Sequence, residues 1–144
     1  MDADQVITVL GLRSHPEGGW YRETWREPVA DSERPASTAI YYLLRAGERS
    51  HWHRVDATET WYFHAGDPLM LETATPAAGR VDEHLLGADL ATNQRPQAIV
   101  PANYWQRARP LGAWTLVSCT VAPGIRFDGF ELAPPGWQPL GASE

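Results

Sequence analysis

The chain has 144 residues, the length of one domain that can bury a substantial core, and a formal net charge of -6. All twelve basic residues are arginines, which excludes lysine-based chemistry, and they form no basic run. We therefore expect no nucleic-acid partner and no membrane partner, and the acidic charge favours a small uncharged or metal-assisted ligand.

The cysteine content and the first residues indicate the cellular location. Cys119 is the only cysteine, so neither an intrachain disulfide nor a thiolate metal cluster can form, as is typical of a reducing compartment. The acidic segment 1–5 lacks the pattern of a secretory signal, and no apolar run approaches membrane-spanning length. We expect a cytoplasmic protein in which Cys119 is an inert core residue.

The N-terminal region combines a helical pattern with a glycine-rich loop. The spacing of Val6, Ile7 and Leu10 predicts one short amphipathic helix over about residues 4–12. The loop that follows, His15-Pro16-Glu17-Gly18-Gly19, requires special backbone geometry. It is either a tight turn capped by its own side chains or part of a binding pocket.

The rest of the chain is typical of an all-β protein. Twelve glycines, twelve prolines and seven tryptophans indicate many turns between short aromatic-rich strands. The predicted strands span residues 20–26, 38–44, 50–55, 59–65, 69–75, 80–86, 98–101, 104–107, 114–121 and 125–132. Because no helices separate them, they indicate an antiparallel sandwich or barrel at about 20–132, and a double-sheet jelly roll accommodates this number of strands. The chain length predicts a single domain over 1–144, with a proline-rich surface tail at 133–144.

Two histidines and a carboxylate lie on neighbouring predicted strands. Since alternate residues of a strand share a face, we expect His51 and His53 to point the same way. A bulge near Ser50 would change this, so the sequence leaves open which of the two faces the pocket. By the same alternation, Glu59 shares a face with Trp61 and Phe63. Two imidazoles and a carboxylate suit either a divalent transition metal or a proton-transfer pair, and the sequence leaves both open.

Several separate motifs together resemble one known family, the cupin superfamily and within it the cupin_5 group (DUF985). They occur in the same order over about residues 10–132. The motifs are His15-Pro-Glu-Gly-Gly19, Ser50-His-Trp-His-Arg54, Thr58-Glu-Thr-Trp61, Ala65-Gly-Asp-Pro-Leu69, Val100-Pro-Ala102, Trp105-Gln106 and Val121-Ala-Pro-Gly124 with Asp128-Gly-Phe-Glu-Leu132. The resemblance implies a cupin double-stranded β-helix with a pocket in its open mouth, assembled as a homodimer. It also implies a likeness in shape to deoxysugar-nucleotide epimerases and to metal-dependent cupins.

The chain departs from the cupin metal motifs at one ligand position. Where a cupin commonly supplies a fourth histidine ligand this chain has Gln106, and Tyr62 stands where the group often has histidine. An amide oxygen is a weak ligand for a transition metal. A tentative site for Zn, Fe, Mn or Ni would therefore consist of His51, His53 and Glu59, with Gln106 as a fourth ligand.

Three functional hypotheses follow. The first is a non-redox isomerase, epimerase or cyclase that acts on a small polar metabolite without needing a metal, with His53 or His51 as the acid or base and Glu59 orienting it. The second is a metal-dependent oxygenase or lyase with the tentative ligand set, and the third is a ligand-binding module without turnover. The residues expected to position a ligand are His15, Glu17, Arg22, Trp61, Tyr62, Phe63, Gln106 and Arg107.

Overall fold

The protein is built on two antiparallel sheets, and the computed structural model describes residues 1–142 of the chain. One sheet has six strands in the order β1-β2-β3-β10-β5-β8, and the other has five in the order β11-β4-β9-β6-β7. The strands are β1 (Arg13–Ser14), β2 (Trp20–Arg26), β3 (Thr38–Arg45), β4 (Ser50–Val55), β5 (Thr58–Gly66), β6 (Leu69–Ala74), β7 (Val81–Leu86), β8 (Gln97–Val100), β9 (Trp105–Pro110), β10 (Trp114–Ala122) and β11 (Phe130–Leu132). Because the chain repeatedly crosses between the sheets, the topology is a jelly roll, which confirms the predicted cupin fold class.

The core lies between the sheets and follows the alternation of the central strands. On β10, Thr115, Val117, Cys119 and Val121 are buried while the residues between them are half-buried, as expected of a strand with one face in the core. This strand pairs with β3 on one side and β5 on the other, so Cys119 lies opposite both Ile40 and Trp61. The largest buried cluster comprises Tyr42, Leu44, Trp61, Leu69, Leu71, Leu86, Val100, Ala108, Val117 and Cys119.

The single helix, α1 (Ala3–Leu10), begins and ends with standard caps. The Asp2 side chain accepts a hydrogen bond from the Gln5 N–H, and the Gln5 side chain accepts one from the Asp2 N–H, so both free donors are satisfied. The helix ends before Gly11, which has a left-handed φ of 67° that glycine adopts without steric strain. No helix among the described residues is long and apolar enough to cross a membrane.

The C-terminal segments differ in detail from the sequence prediction. The predicted strand at 125–132 is only β11, because a 3-10 turn at Phe127–Gly129 interrupts it. The proline-rich tail lies against the five-stranded sheet, where the Trp137 ring is centred 4.3 Å from that of Trp105 and 6.4 Å from that of Trp52. The last two positions of the predicted tail, 143 and 144, lie outside the described residues.

Candidate active site

A cavity of about 540 Å³ is lined by both sheets and by the glycine-rich loop. Its most buried polar residues are Glu17, His53 and Glu59, which are at most 7% exposed and define what we call its inner end. The volume is within the range of small-molecule sites. The remaining lining residues are His15, Pro16, Tyr21, Glu23, Arg26, Ile40, Val55, Ile125, Arg126, Phe127, Phe130 and Leu132.

The two histidines of β4 do not share a face, so that prediction is wrong. The pairing of β4 with β9 shifts its register between Ser50 and His53, which is a β-bulge. The extra residue breaks the alternation, with the result that His53 is buried in the cavity while His51 is exposed outside it. His51 still acts through its backbone, because its N–H donates to the Glu17 carbonyl at 2.8 Å.

His53 is held through both of its ring nitrogens. Nδ1 is 2.7 Å from the His51 carbonyl oxygen, which can only accept, so Nδ1 carries a proton. Nε2 lies 2.6 Å from Glu17 Oε2, although that oxygen makes no hydrogen bond of good geometry, and we therefore describe the contact as an ion pair. The Phe130 ring stacks on the imidazole with 5.5 Å between ring centroids.

Charge interactions determine the protonation of the buried pair. Burial alone would lower the pKa of His53, but the negative charge of Glu17 in close contact, with the charge of Glu59, outweighs it and raises the pKa to about 9. For Glu17, burial alone would raise the pKa, yet the neighbouring His53 lowers it below its ordinary value. At neutral pH the pair is therefore an imidazolium facing a carboxylate.

The glycine-rich loop places Glu17 in the cavity, so it is both a tight turn and part of the pocket. The Glu17 N–H donates to His15 Nδ1 at 3.0 Å, and the buried Tyr42 hydroxyl donates to the Gly18 carbonyl. Gly18 and Gly19 have φ values of 106° and 76°, which other residues rarely adopt. Burial lowers the pKa of His15, which agrees with its role as a neutral acceptor.

Glu59 reaches the cavity from β5 and is supported by a hydrogen-bonded chain. Trp61 Nε1 donates to Gln106 Oε1 at 2.8 Å, and Gln106 Nε2 donates to Glu59 Oε1 at 2.8 Å. Because an indole N–H can only donate, this chain fixes the orientation of the Gln106 amide. Burial raises the pKa of Glu59 to about 7, with the Glu17 carboxylate also raising it and His53 opposing.

The four tentative metal ligands are not brought together as one set. His51 lies outside the cavity, and the amide oxygen of Gln106 already accepts from Trp61. Residues 1–142 contain no group of three histidine, cysteine, aspartate or glutamate side chains arranged to hold a metal ion. The donor set predicted from His51, His53, Glu59 and Gln106 therefore does not fit a metal in this arrangement.

Several residues predicted to position a ligand lie elsewhere. Arg22 is exposed and donates to the Leu10 carbonyl at 3.2 Å, so it stabilises the end of α1. Arg107 forms an ion pair with Glu72 at 2.9 Å and, with His51, lines a separate surface depression of about 400 Å³.

Three aromatic predictions likewise fail to contact the cavity, for reasons of packing. Trp61 is buried in the core and hydrogen-bonds to Gln106, while Phe63 packs against the same core. Tyr62 points to the opposite side of β5 from its neighbours Trp61 and Phe63, and it does not line the cavity. The alternation predicted for β5 is therefore correct, but the interior of the barrel around Trp61 and Phe63 is filled by side chains rather than open.

Phe130, Tyr42 and Ser50 are site residues to which the sequence analysis gave no role. Phe130 lies in the motif Asp128-Gly-Phe-Glu-Leu132, so its position in a family motif was a usable signal. Ser50 Oγ is 3.5 Å from His53 Nδ1, and Ser50 directly precedes the histidine motif. Tyr42 offered no such signal, because its polar role depends on the loop folding back over β3.

Two solved structures are similar to this chain over most of its length. Among solved structures, a protein from Shewanella oneidensis is 43% identical with a TM-score of 0.87, over 92% of this chain and 85% of that chain. A hypothetical protein from Leishmania major is 32% identical with a TM-score of 0.84, over 92% of this chain and 88% of that chain.

More distant similarity is limited to the fold. Oxalate decarboxylase from Bacillus subtilis is 14% identical with a TM-score of 0.61, over 83% of this chain and 29% of that chain. A search of curated proteins finds no match. The family profile of Cupin_5, described as cupin superfamily (DUF985), matches residues 4–133. The chain therefore belongs to the Cupin_5 family of the cupin superfamily.

Proposed function

We propose that this chain is a non-redox enzyme that binds a small polar metabolite in the cavity and transfers a proton on it, as isomerases, epimerases and cyclases do. The observation that carries the proposal is the pair of buried groups at the inner end of the cavity, Glu59 and His53, each held by its own partner. Groups fixed in this way can act on a bound ligand without first rearranging.

Glu59 is the residue that we assign as the base and acid. A proton-transfer group works best when its pKa is near the working pH, and the pKa of Glu59 is about 7. As a carboxylate it would take a proton from the ligand, and as a carboxylic acid it would return that proton to another position. The reaction then needs no oxidant or reductant, because the proton is the only species transferred.

His53 has a different role, because both of its nitrogens are engaged. With a pKa of about 9 it remains an imidazolium at neutral pH, facing Glu17. A fixed positive charge beside the reacting group stabilises negative charge that develops on the ligand. This assignment moves the orienting role, expected for Glu59, to Glu17.

Deuterium exchange tests the proposal directly. A panel of small hydroxy, keto and sugar metabolites is incubated with the protein in D₂O and followed by proton NMR, which detects deuterium entering a C–H position. For the metabolite that exchanges, Glu59→Gln should reduce the rate by about 10²- to 10⁴-fold while the ligand still binds. His53→Gln should also reduce it, whereas His51→Ala should not, because His51 is outside the cavity.

Two outcomes would contradict the proposal. An exchange rate that is unchanged in Glu59→Gln would remove Glu59 from the chemistry. A metabolite that binds the wild-type cavity without any exchange or turnover would instead favour a ligand-binding module.

A further inference from the structure

We propose that the ligand carries one anionic group, a carboxylate or a phosphate, which Arg126 binds at the outer end of the cavity. This inference concerns the same cavity as the proposed function and rests on that cavity being a ligand site. It extends the proposal by naming the chemical class of the ligand.

The cavity changes in polarity from its inner to its outer end. The inner end has the buried groups Glu17, His53 and Glu59, as described above. The outer end has exposed residues, including Phe127, which is 98% exposed, and the half-buried Arg126. Half-buried apolar side chains such as Ile40 also line the cavity. A ligand that fits this gradient has a reactive polar part, a less polar middle and a charged outer group.

The arginines near this outer end differ in whether they already have partners. Arg26 donates to both carboxylate oxygens of Glu23, at 2.9 and 3.0 Å, and to the Ile125 carbonyl at 3.1 Å. The Arg126 side chain, by contrast, makes no hydrogen bond or ion pair within residues 1–142. Asp56 is a nearby carboxylate whose pKa the Arg126 charge helps to lower. It already accepts two hydrogen bonds from Arg34, at 2.6 and 3.1 Å.

The charges that line the cavity leave one cation in excess when Glu59 is protonated. Glu17 balances His53, and Glu23 balances Arg26, which leaves the Arg126 charge without a counterpart. A monoanionic ligand would neutralise it, and a guanidinium binds carboxylate or phosphate oxygens in a fork. The overall charge of -6 favoured an uncharged ligand, but the local charge around the cavity mouth has the opposite sign.

Binding of simple probes tests this inference without knowledge of the natural ligand. Benzoate, phenyl phosphate and the neutral isostere benzamide are titrated into the full-length protein and followed by NMR and calorimetry. Wild-type protein should bind at least one anion more tightly than benzamide, and the preferred anion distinguishes a carboxylate from a phosphate ligand. Arg126→Gln should weaken binding of that anion by about tenfold or more and leave benzamide unchanged.

Matched variants make the result interpretable. Arg80→Gln removes an arginine whose side chain is 85% exposed and does not line the cavity, so anion binding should be unaffected. Arg126→Lys should retain part of the affinity because the charge remains. Equal binding of the anions by wild type and Arg126→Gln, or no preference of the wild type for any anion over benzamide, would overturn the inference. Glu59→Gln should still bind the anion, so a failure of the proposed chemistry is distinguishable from a failure here.

Discussion

Glu17 and His53 meet inside the barrel with 2.6 Å between Oε2 and Nε2, and their side chains are only 6% and 3% exposed. Removing two charged groups from water is costly, and a buried ion pair rarely stabilises a fold better than apolar side chains would. A pair that is retained in spite of this cost, at the inner end of a cavity, is better explained by the charge that it holds there. It fixes an imidazolium next to Glu59.

Replacing Glu17 should show how strongly the pKa of His53 and the stability of the fold depend on the Glu17 charge. In Glu17→Gln the main counter-charge is lost and only the Glu59 charge and the His51 carbonyl still oppose burial, so the pKa of His53 should fall well below 9. Stability at neutral pH should fall by about 3 kcal/mol. NMR titration of the imidazole and urea unfolding would measure both effects.

A surface ion pair provides the control for that experiment. Glu131→Gln removes the partner of Arg54, at 2.8 Å, where the glutamate side chain is 55% exposed. Screening by water limits such pairs to about 1 kcal/mol or less. An unchanged His53 pKa in Glu17→Gln, or equal losses of stability in the two variants, would contradict the assigned coupling.

Stability should fall as the pH rises above about 5. The pKa of Glu59 is raised from 4.5 to about 7, so its contribution is complete below 4.5 and lost as the pH rises to 7. The pKa of His53 is raised from 6.5 to about 9, so its contribution is lost between those values. Glu17 has a lowered pKa, and its contribution is lost instead as the pH falls below 4.5.

The free energy of unfolding, measured with urea at a series of pH values, checks these signs. Glu59 and His53 should each account for a decline of about 3 kcal/mol across their own intervals. Glu59→Gln cannot titrate, so it should flatten the profile between about pH 4.5 and 7 and leave the decline at higher pH. A wild-type profile that is level from pH 5 to 9 would rule out both raised pKa values.

A single added methyl group in the glycine-rich loop should have a large effect on stability. A Cβ atom on Gly18 would collide with the Arg49 carbonyl oxygen, and the φ of 106° is unfavourable for alanine. Gly18→Ala should therefore lower stability by about 3 kcal/mol or more and displace Glu17 from His53.

Gly47→Ala is the matched control for this loop. Its φ of 84° is also positive, but no atom lies within 4 Å of the added Cβ, so only backbone strain of about 1 kcal/mol is expected. Thermal unfolding and the His53 titration would compare the two variants. Similar results for both would show that the loop is not held against β4 as the structure indicates.

The strands and the overall fold could be predicted from the sequence, because turn residues and apolar alternation are local signals. The motif order, which spans most of the chain, made the family assignment possible as well. These local signals do not indicate which residues face each other across the barrel. The partner of His53 is in a loop far from it in sequence, and the hydrogen bond from the His51 N–H to the Glu17 carbonyl joins that loop to β4.

The error at His51 has a specific physical origin. Strict alternation places His51 and His53 on one face, and only the bulge between Ser50 and His53 separates them. A bulge depends on pairing with β9, which no local pattern reveals. The same limit applies to Gln106, whose sequence position indicated a weak metal ligand but whose contacts make it the bridge from Trp61 to Glu59.

Gln106 provides the last prediction. Gln106→Leu removes the only acceptor that the buried Trp61 Nε1–H has within residues 1–142 and takes one hydrogen bond away from the buried Glu59 carboxyl. Stability should fall by about 2 to 4 kcal/mol, and the pKa of Glu59 should rise above 7, because the hydrogen bond from Gln106 lowers it. Gln97→Leu, at an exposed position of β8, should change neither quantity. Urea unfolding and NMR titration of the carboxyl would measure both, and a Glu59 pKa that falls or stays constant in Gln106→Leu would show that the bridge does not set the protonation of the site.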